Sequence, residues 1–132
     1  MTGQLTAIII LCIPLLTQAQ ESDSARVSIH QLEAQQHRWD DLKTDAKVPE
    51  LQRANDLVRQ GKVDEGARVY RKLIKRSRSR ALFNLGLVAY QQGSFRDALR
   101  WFRSSYQVRR DPKCLSYIQN VRRIIREHSP PK

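Results

Sequence analysis

Thirty-two residues separate two copies of one pattern in the middle of this chain, and that internal repeat constrains the fold more than any other feature. Moved by that distance, Leu51 falls on Phe83, Ala54 on Gly86, Val58 on Tyr90 and Gly61 on Gly93. Val63 then falls on Phe95, Gly66 on Ala98, Arg68 on Arg100, Tyr70 on Phe102 and Arg71 on Arg103. Nine matches in one register are not chance, and a period near this length points to stacked helix pairs. Within each copy the apolar residues recur at helical spacing. Leu51, Ala54 and Val58 precede the first glycine, and Ala67, Tyr70, Leu73 and Ile74 follow it. In the second copy Leu82, Leu85, Gly86 and Ala89 precede Gly93, while Ala98, Phe102, Ser105 and Tyr106 follow. A glycine at each reversal is expected, because a helix C-terminus commonly ends in a left-handed residue. Pro49 suits a first helical turn, and Asp64 and Glu65 sit where the helix dipole favours negative charge. No segment alternates polar and apolar as a strand does, so the expected fold class is all-α.

Both flanks of the repeat read as helical. Leu115, Ile118, Val121 and Ile125 keep a stripe from Asp111-Pro112 to about Glu127, and residues 129–132 read as a frayed tail. Ile29, Leu32, Trp39 and Leu42 share another stripe, which predicts one amphipathic helix over residues 27–47 with Ser28 at its start. Two hairpins bury too little apolar surface alone. The flanking helices are therefore expected to cap a repeat domain over residues 48–128; completion by a partner or by self-association is the alternative. Ahead of them, residues 1–19 carry no charged side chain, and Leu5 to Leu16 is an apolar run interrupted only by Thr6. That run is too short to cross a bilayer, which takes roughly 20 residues. It fits a signal-peptide core, with Thr17 and Ala19 before a cut at Gln20 and a polar linker over residues 20–26. The expected location is therefore the periplasm or the secreted space. Cys12 is not preceded by the small residues of a lipidation site, and Cys114 is the only other cysteine. The mature chain has no intrachain disulfide to rest on.

The residues around Gly93 resemble the tetratricopeptide repeat: Leu85-Gly86 in the first helix, Gly93 at the turn, Phe95 after it, then Ala98 and Phe102 in the second helix. The resemblance extends from about Val48 to Ile125 and implies an α-solenoid of two helix hairpins. Gly61, Gly66, Gly86, Gly93 and Ala98 would then set the turns and the close helix contacts. It also implies a non-catalytic scaffold that binds protein on its concave side, lined by the first helix of each pair. The positions concerned are Asn55, Val58, Arg59, Phe83, Leu87, Tyr90 and Gln91. Some members of the family clamp a partner's C-terminal carboxylate with Lys and Asn there. Asn55 fits that pattern, but Leu51 and Phe83 stand where lysines are needed, so a mixed apolar groove for a peptide or helix is the better expectation.

Charge supplies a second candidate surface. Residues 20–60 are slightly acidic, whereas residues 61–132 hold eighteen of the 24 Lys and Arg against five acidic side chains. In the resemblance, Arg68, Arg71, Lys72, Lys75, Arg100 and Arg103 belong to second helices and hence to the convex face. An anionic membrane or acidic polysaccharide is the alternative partner. Nucleic acid is disfavoured: the basic run from Arg71 to Arg80 has no interleaved aromatic side chains for base stacking. Catalysis is not expected either, and no cofactor or metal is implied. His30 and His37 lack companion ligands, Asp40 and Asp41 diverge if helical, and no phosphate-binding glycine loop occurs.

Overall fold

Short, local signals delimit five helices in the computed structural model, which describes residues 37–131. The expected signal segment, the linker and the amphipathic helix up to residue 36 lie outside the described residues. Residues 39–132 make one compact unit. Its helices are α1 (Pro49–Arg59), α2 (Val63–Leu73), α3 (Arg78–Gln91), α4 (Phe95–Val108) and α5 (Pro112–Glu127). No strand occurs among the described residues.

Helix α1 begins at Pro49, whose missing N–H costs nothing in a first turn, and Glu50 follows it there. It ends at Gly61, with φ 86°, and α3 ends the same way at Gly93, with φ 77°. Both values lie in the left-handed region that glycine enters without strain. Asp64 and Glu65 open α2, and Asp97 lies in the first turn of α4. The Asp111 carboxylate caps α5 by accepting the Lys113 backbone N–H at 2.9 Å, with Pro112 in the first turn.

Each helix packs on the next in sequence, and the contacts within the hairpins α1–α2 and α3–α4 are the most extensive. Burial follows the sequence pattern closely in four helices. Leu51, Ala54 and Val58 are buried in α1; Tyr70 and Leu73 in α2; Ala98 and Phe102 in α4; Ile118 and Val121 in α5. The third helix departs from it. The repeat predicts one buried stripe, whereas every residue from Ala81 to Ala89 is buried, because α3 is covered on all sides.

A larger departure lies just before α1. The predicted helix does not run to residue 47: beyond Arg38 the chain forms turns and an irregular stretch as far as Val48. Leu42 N–H donates to the Trp39 carbonyl at 3.2 Å and Val48 N–H to the Asp45 carbonyl at 3.0 Å, each an isolated turn. Asp45 competes for the backbone directly, its side chain accepting Lys47 N–H at 3.0 Å. Pro49 also biases Val48 away from helical angles. Trp39, Leu42 and Val48 are nonetheless buried in the same core as the helices. We call residues 39–48 the strap.

Candidate peptide groove

The strap is held mainly by side chains of α1, α3 and α5. Two buried asparagines grip its main chain at one residue. Asn84 of α3 accepts Lys43 N–H through Oδ1 at 2.8 Å and donates from Nδ2 to the Lys43 carbonyl at 2.9 Å. Asn55 of α1 donates to that carbonyl at 3.1 Å. The pair is fixed from behind: the Tyr70 hydroxyl donates to Asn55 Oδ1 at 2.6 Å, and Asn84 Nδ2 reaches the same oxygen at 3.1 Å. Both amides are fully buried, so their orientation depends on this network being complete. Burial pushes the Tyr70 phenol well above its ordinary value, which keeps it a donor.

Charged strap residues find partners on either side of that grip. Asp41 accepts from the Tyr117 hydroxyl of α5 at 2.5 Å and pairs with Lys113. Lys43 pairs with Asp111, and its ammonium stands 4.5 Å from the centre of the Phe83 ring. Asp45 accepts from Ser77 Oγ at 2.7 Å and from Arg80 at 3.1 Å. Partial burial alone would raise the Asp41 carboxyl, but the bonds from Lys113 and Tyr117 outweigh it and hold the group below its usual value. The Ser77 hydroxyl, followed by the Lys47 N–H, does the same for Asp45. Burial pushes the Lys43 ammonium down and the Tyr117 phenol up.

Beneath and beside the strap, aromatic rings join three helices. Phe102 of α4 stacks on Tyr117 of α5 at 5.1 Å, and Phe83 of α3 meets both, at 5.5 and 5.7 Å. Tyr90 continues the cluster to Tyr117 at 5.5 Å and to Phe95 at 5.8 Å. An open depression of about 490 Å³ lies beside it, lined by Asp41, Tyr90, Lys113, Ser116, Tyr117 and Asn120.

Residues 51–113 match the family model described as tetratricopeptide repeat. The chain carries a tetratricopeptide repeat region over those residues. No curated protein and no solved structure gives a significant match. Such repeats mediate protein–protein interaction, and the matched residues run from the buried Leu51 of α1 into the first turn of α5.

The tetratricopeptide frame separates the predicted groove residues into two sets. Asn55, Val58, Phe83 and Leu87 are fully buried under the strap and the neighbouring helices, so no partner reaches them in this conformation. Arg59, exposed and near Asp56 at 3.6 Å, and the half-buried Tyr90 and Gln91 remain at the surface. Sequence reasoning missed Asn84, Lys43 and Tyr117. Asn84 sits between two apolar residues and reads as a solvent position, so nothing local marks it. Tyr117 had a signal: Cys114, Tyr117, Ile118 and Val121 follow helical spacing on one face.

The basic face is partly neutralised within the repeat. Arg76 pairs with Glu50 at 2.7 Å, Arg80 with Asp45, and Arg100 with Asp97. Arg68 reaches the Asp64 carbonyl at 3.4 Å. Arg71, Lys72, Lys75 and Arg103 are exposed and pair with no described carboxylate. Around half-buried Trp101, Arg71, Asp97, Arg100 and Ser104 line a shallow cleft of about 380 Å³. Cys114 is fully buried, its thiol donating to the Phe102 carbonyl at 3.2 Å, and burial pushes the thiol up.

Proposed function

We propose that this protein is a non-catalytic interaction scaffold that takes a peptide segment of a protein partner along α1, α3 and α5. One observation carries the reading: Asn55 and Asn84 hold both backbone polar groups of a single residue, Lys43, in an irregular stretch of chain. A side-chain amide that bonds main chain reads shape rather than sequence, as peptide grooves do. The depression bordered by Tyr90 and Asn120 offers apolar and hydrogen-bonding surface beside Asp41 of the strap. The setting we infer is the periplasm or the secreted space, on the strength of residues 1–19. Mass measurement of the mature protein should then show the chain starting at Gln20; an intact Met1 overturns export by cleavage.

The scaffold reading is tested by placing a photo-crosslinking residue at Tyr90 in the full chain in its native host. A partner segment should be captured there and not from the same residue placed at Arg103. Capture at Arg103 alone, or at neither position, overturns the groove.

A second reading is favoured by Arg71, Lys72, Lys75 and Arg103, which no described carboxylate neutralises. They would hold an anionic surface, such as vesicles rich in phosphatidylglycerol, with affinity that falls as salt rises. Arg71→Glu with Arg103→Glu should abolish that binding and leave the melting temperature unchanged. Absence of binding at low salt overturns it.

A further inference from the structure

We propose that the strap is a displaceable resident of the groove, and that the ligand admitted when it leaves is a protein segment repeating its chemistry: acid, apolar residue, base, any residue, acid, as in Asp41-Leu42-Lys43-Thr44-Asp45. This rests on the peptide-scaffold reading above and adds the ligand's pattern and the step that admits it.

Three features of the strap carry the inference. Its grip on the solenoid needs no covalent connection, because Asn55 and Asn84 bond the main chain of Lys43 and would bond any residue's main chain in the same place. Three of its charged side chains, Asp41, Lys43 and Asp45, stand at alternate positions and each meets a separate anchor. Asp41 meets Lys113 and Tyr117, Lys43 meets Asp111 and the Phe83 ring, and Asp45 meets Ser77 and Arg80, while Leu42 between them is buried. The anchors therefore define a recognition pattern of alternating sign, selective against segments of uniform charge.

The strap is also weakly supported by its own backbone, which forms only isolated turns. Residues 42–45 have no regular secondary structure, and two of the anchors, Arg80 and Lys113, are 38% and 56% exposed. Exposed ion pairs are screened by salt and hold little. Segments with few regular backbone bonds open locally, well below the free energy of global unfolding. Displacing the strap uncovers the asparagine pair and withdraws Trp39 and Leu42 from the core, which sets the cost of opening.

The test uses a fluorescent peptide of residues 39–48 and the full chain. Asp41→Ala with Asp45→Ala loosens the strap, so the groove is open a larger fraction of the time. That variant should bind the peptide at least about tenfold more tightly than the unmodified chain, since apparent affinity scales with the open fraction. The same peptide carrying Lys43→Glu should not bind. A variant that keeps its helical content and cooperative melt yet binds no tighter overturns the proposal. Hydrogen exchange on the unmodified chain decides the matter if the variant fails to fold. The Lys43 amide should then exchange at least about 100-fold faster than that of Leu87 in α3; equal protection makes the strap part of the core and overturns displacement. Failure here with cross-linking at Tyr90 intact removes only the strap's exit, whereas loss of both removes the scaffold reading.

Discussion

Gly86 lies so close to Phe102 that a β-carbon added there would stand 2.6 Å from the ring. The sequence suggested that Gly86 and Ala98 let two helices approach; in the second hairpin the space is taken by an aromatic side chain instead. Gly66 makes the closer backbone contact, its β-carbon position 3.0 Å from the Ala54 carbonyl and 2.4 Å from Val58 Cγ2. Gly86→Ala should therefore force the ring to move and lower stability by about 1–3 kcal/mol, read as a lower urea midpoint with unchanged slope. Gly93→Ala meets no atom, but its φ of 77° is unfavourable for any residue with a β-carbon. A loss of about 1 kcal/mol is expected from that alone. Tyr70→Phe removes the hydroxyl that orients Asn55, leaving a buried acceptor with one donor fewer. It should cost about 1–2 kcal/mol and expose the Lys43 amide to faster exchange.

At the scale of the element, the strap is the part of the fold hardest to read from sequence. Trp39 and Leu42 are three residues apart, a spacing that serves a helix stripe and a single turn equally well. What settles the matter is the pull of distant groups: Asn84 is forty-one residues from Lys43 and Tyr117 seventy-six from Asp41. The strap's carboxylates also give it a pH dependence. Asp41 and Asp45 have folded values below their ordinary ones, the first through Lys113 and Tyr117 outweighing burial, the second through Ser77 and the Lys47 N–H. A depressed carboxylate contributes stability that is present above its unfolded value, near ~3.9, and lost as pH falls through the folded value. Protection of the Lys43 amide, corrected for its intrinsic rate, should accordingly drop below about pH 4, before that of Leu87. Equal loss at both amides would mean that the strap and α3 open together.

For the whole molecule, contacts between successive helices make stability a property of the stack rather than of any hairpin. Tyr117 and Cys114 of α5 cover the Phe83 and Phe102 rings and the Phe102 carbonyl. Deleting residues 112–132 should therefore abolish the cooperative melt and induce binding of a hydrophobic dye, rather than leave a stable pair of hairpins. Net charge of +11 acts at this scale too. Its internal pairings, Arg76 with Glu50 and Arg80 with Asp45, join the basic run to α1 and to the strap, so part of that run serves the fold.

Sequence alone determined the repeat, through its thirty-two-residue period, and local chemistry the helix boundaries at Pro49, Gly61, Gly93 and Pro112 and the buried faces of four helices, because each of these depends on residues within a turn or two of each other. Tertiary structure decided the rest. A run of nine consecutive buried residues in α3 needs neighbours on every side, and the strap is held by amides and charges from three separate helices. Hydrogen-bond partners this far apart in sequence leave no periodic trace, so the asparagine pair and the strap it holds become visible only once the helices are stacked.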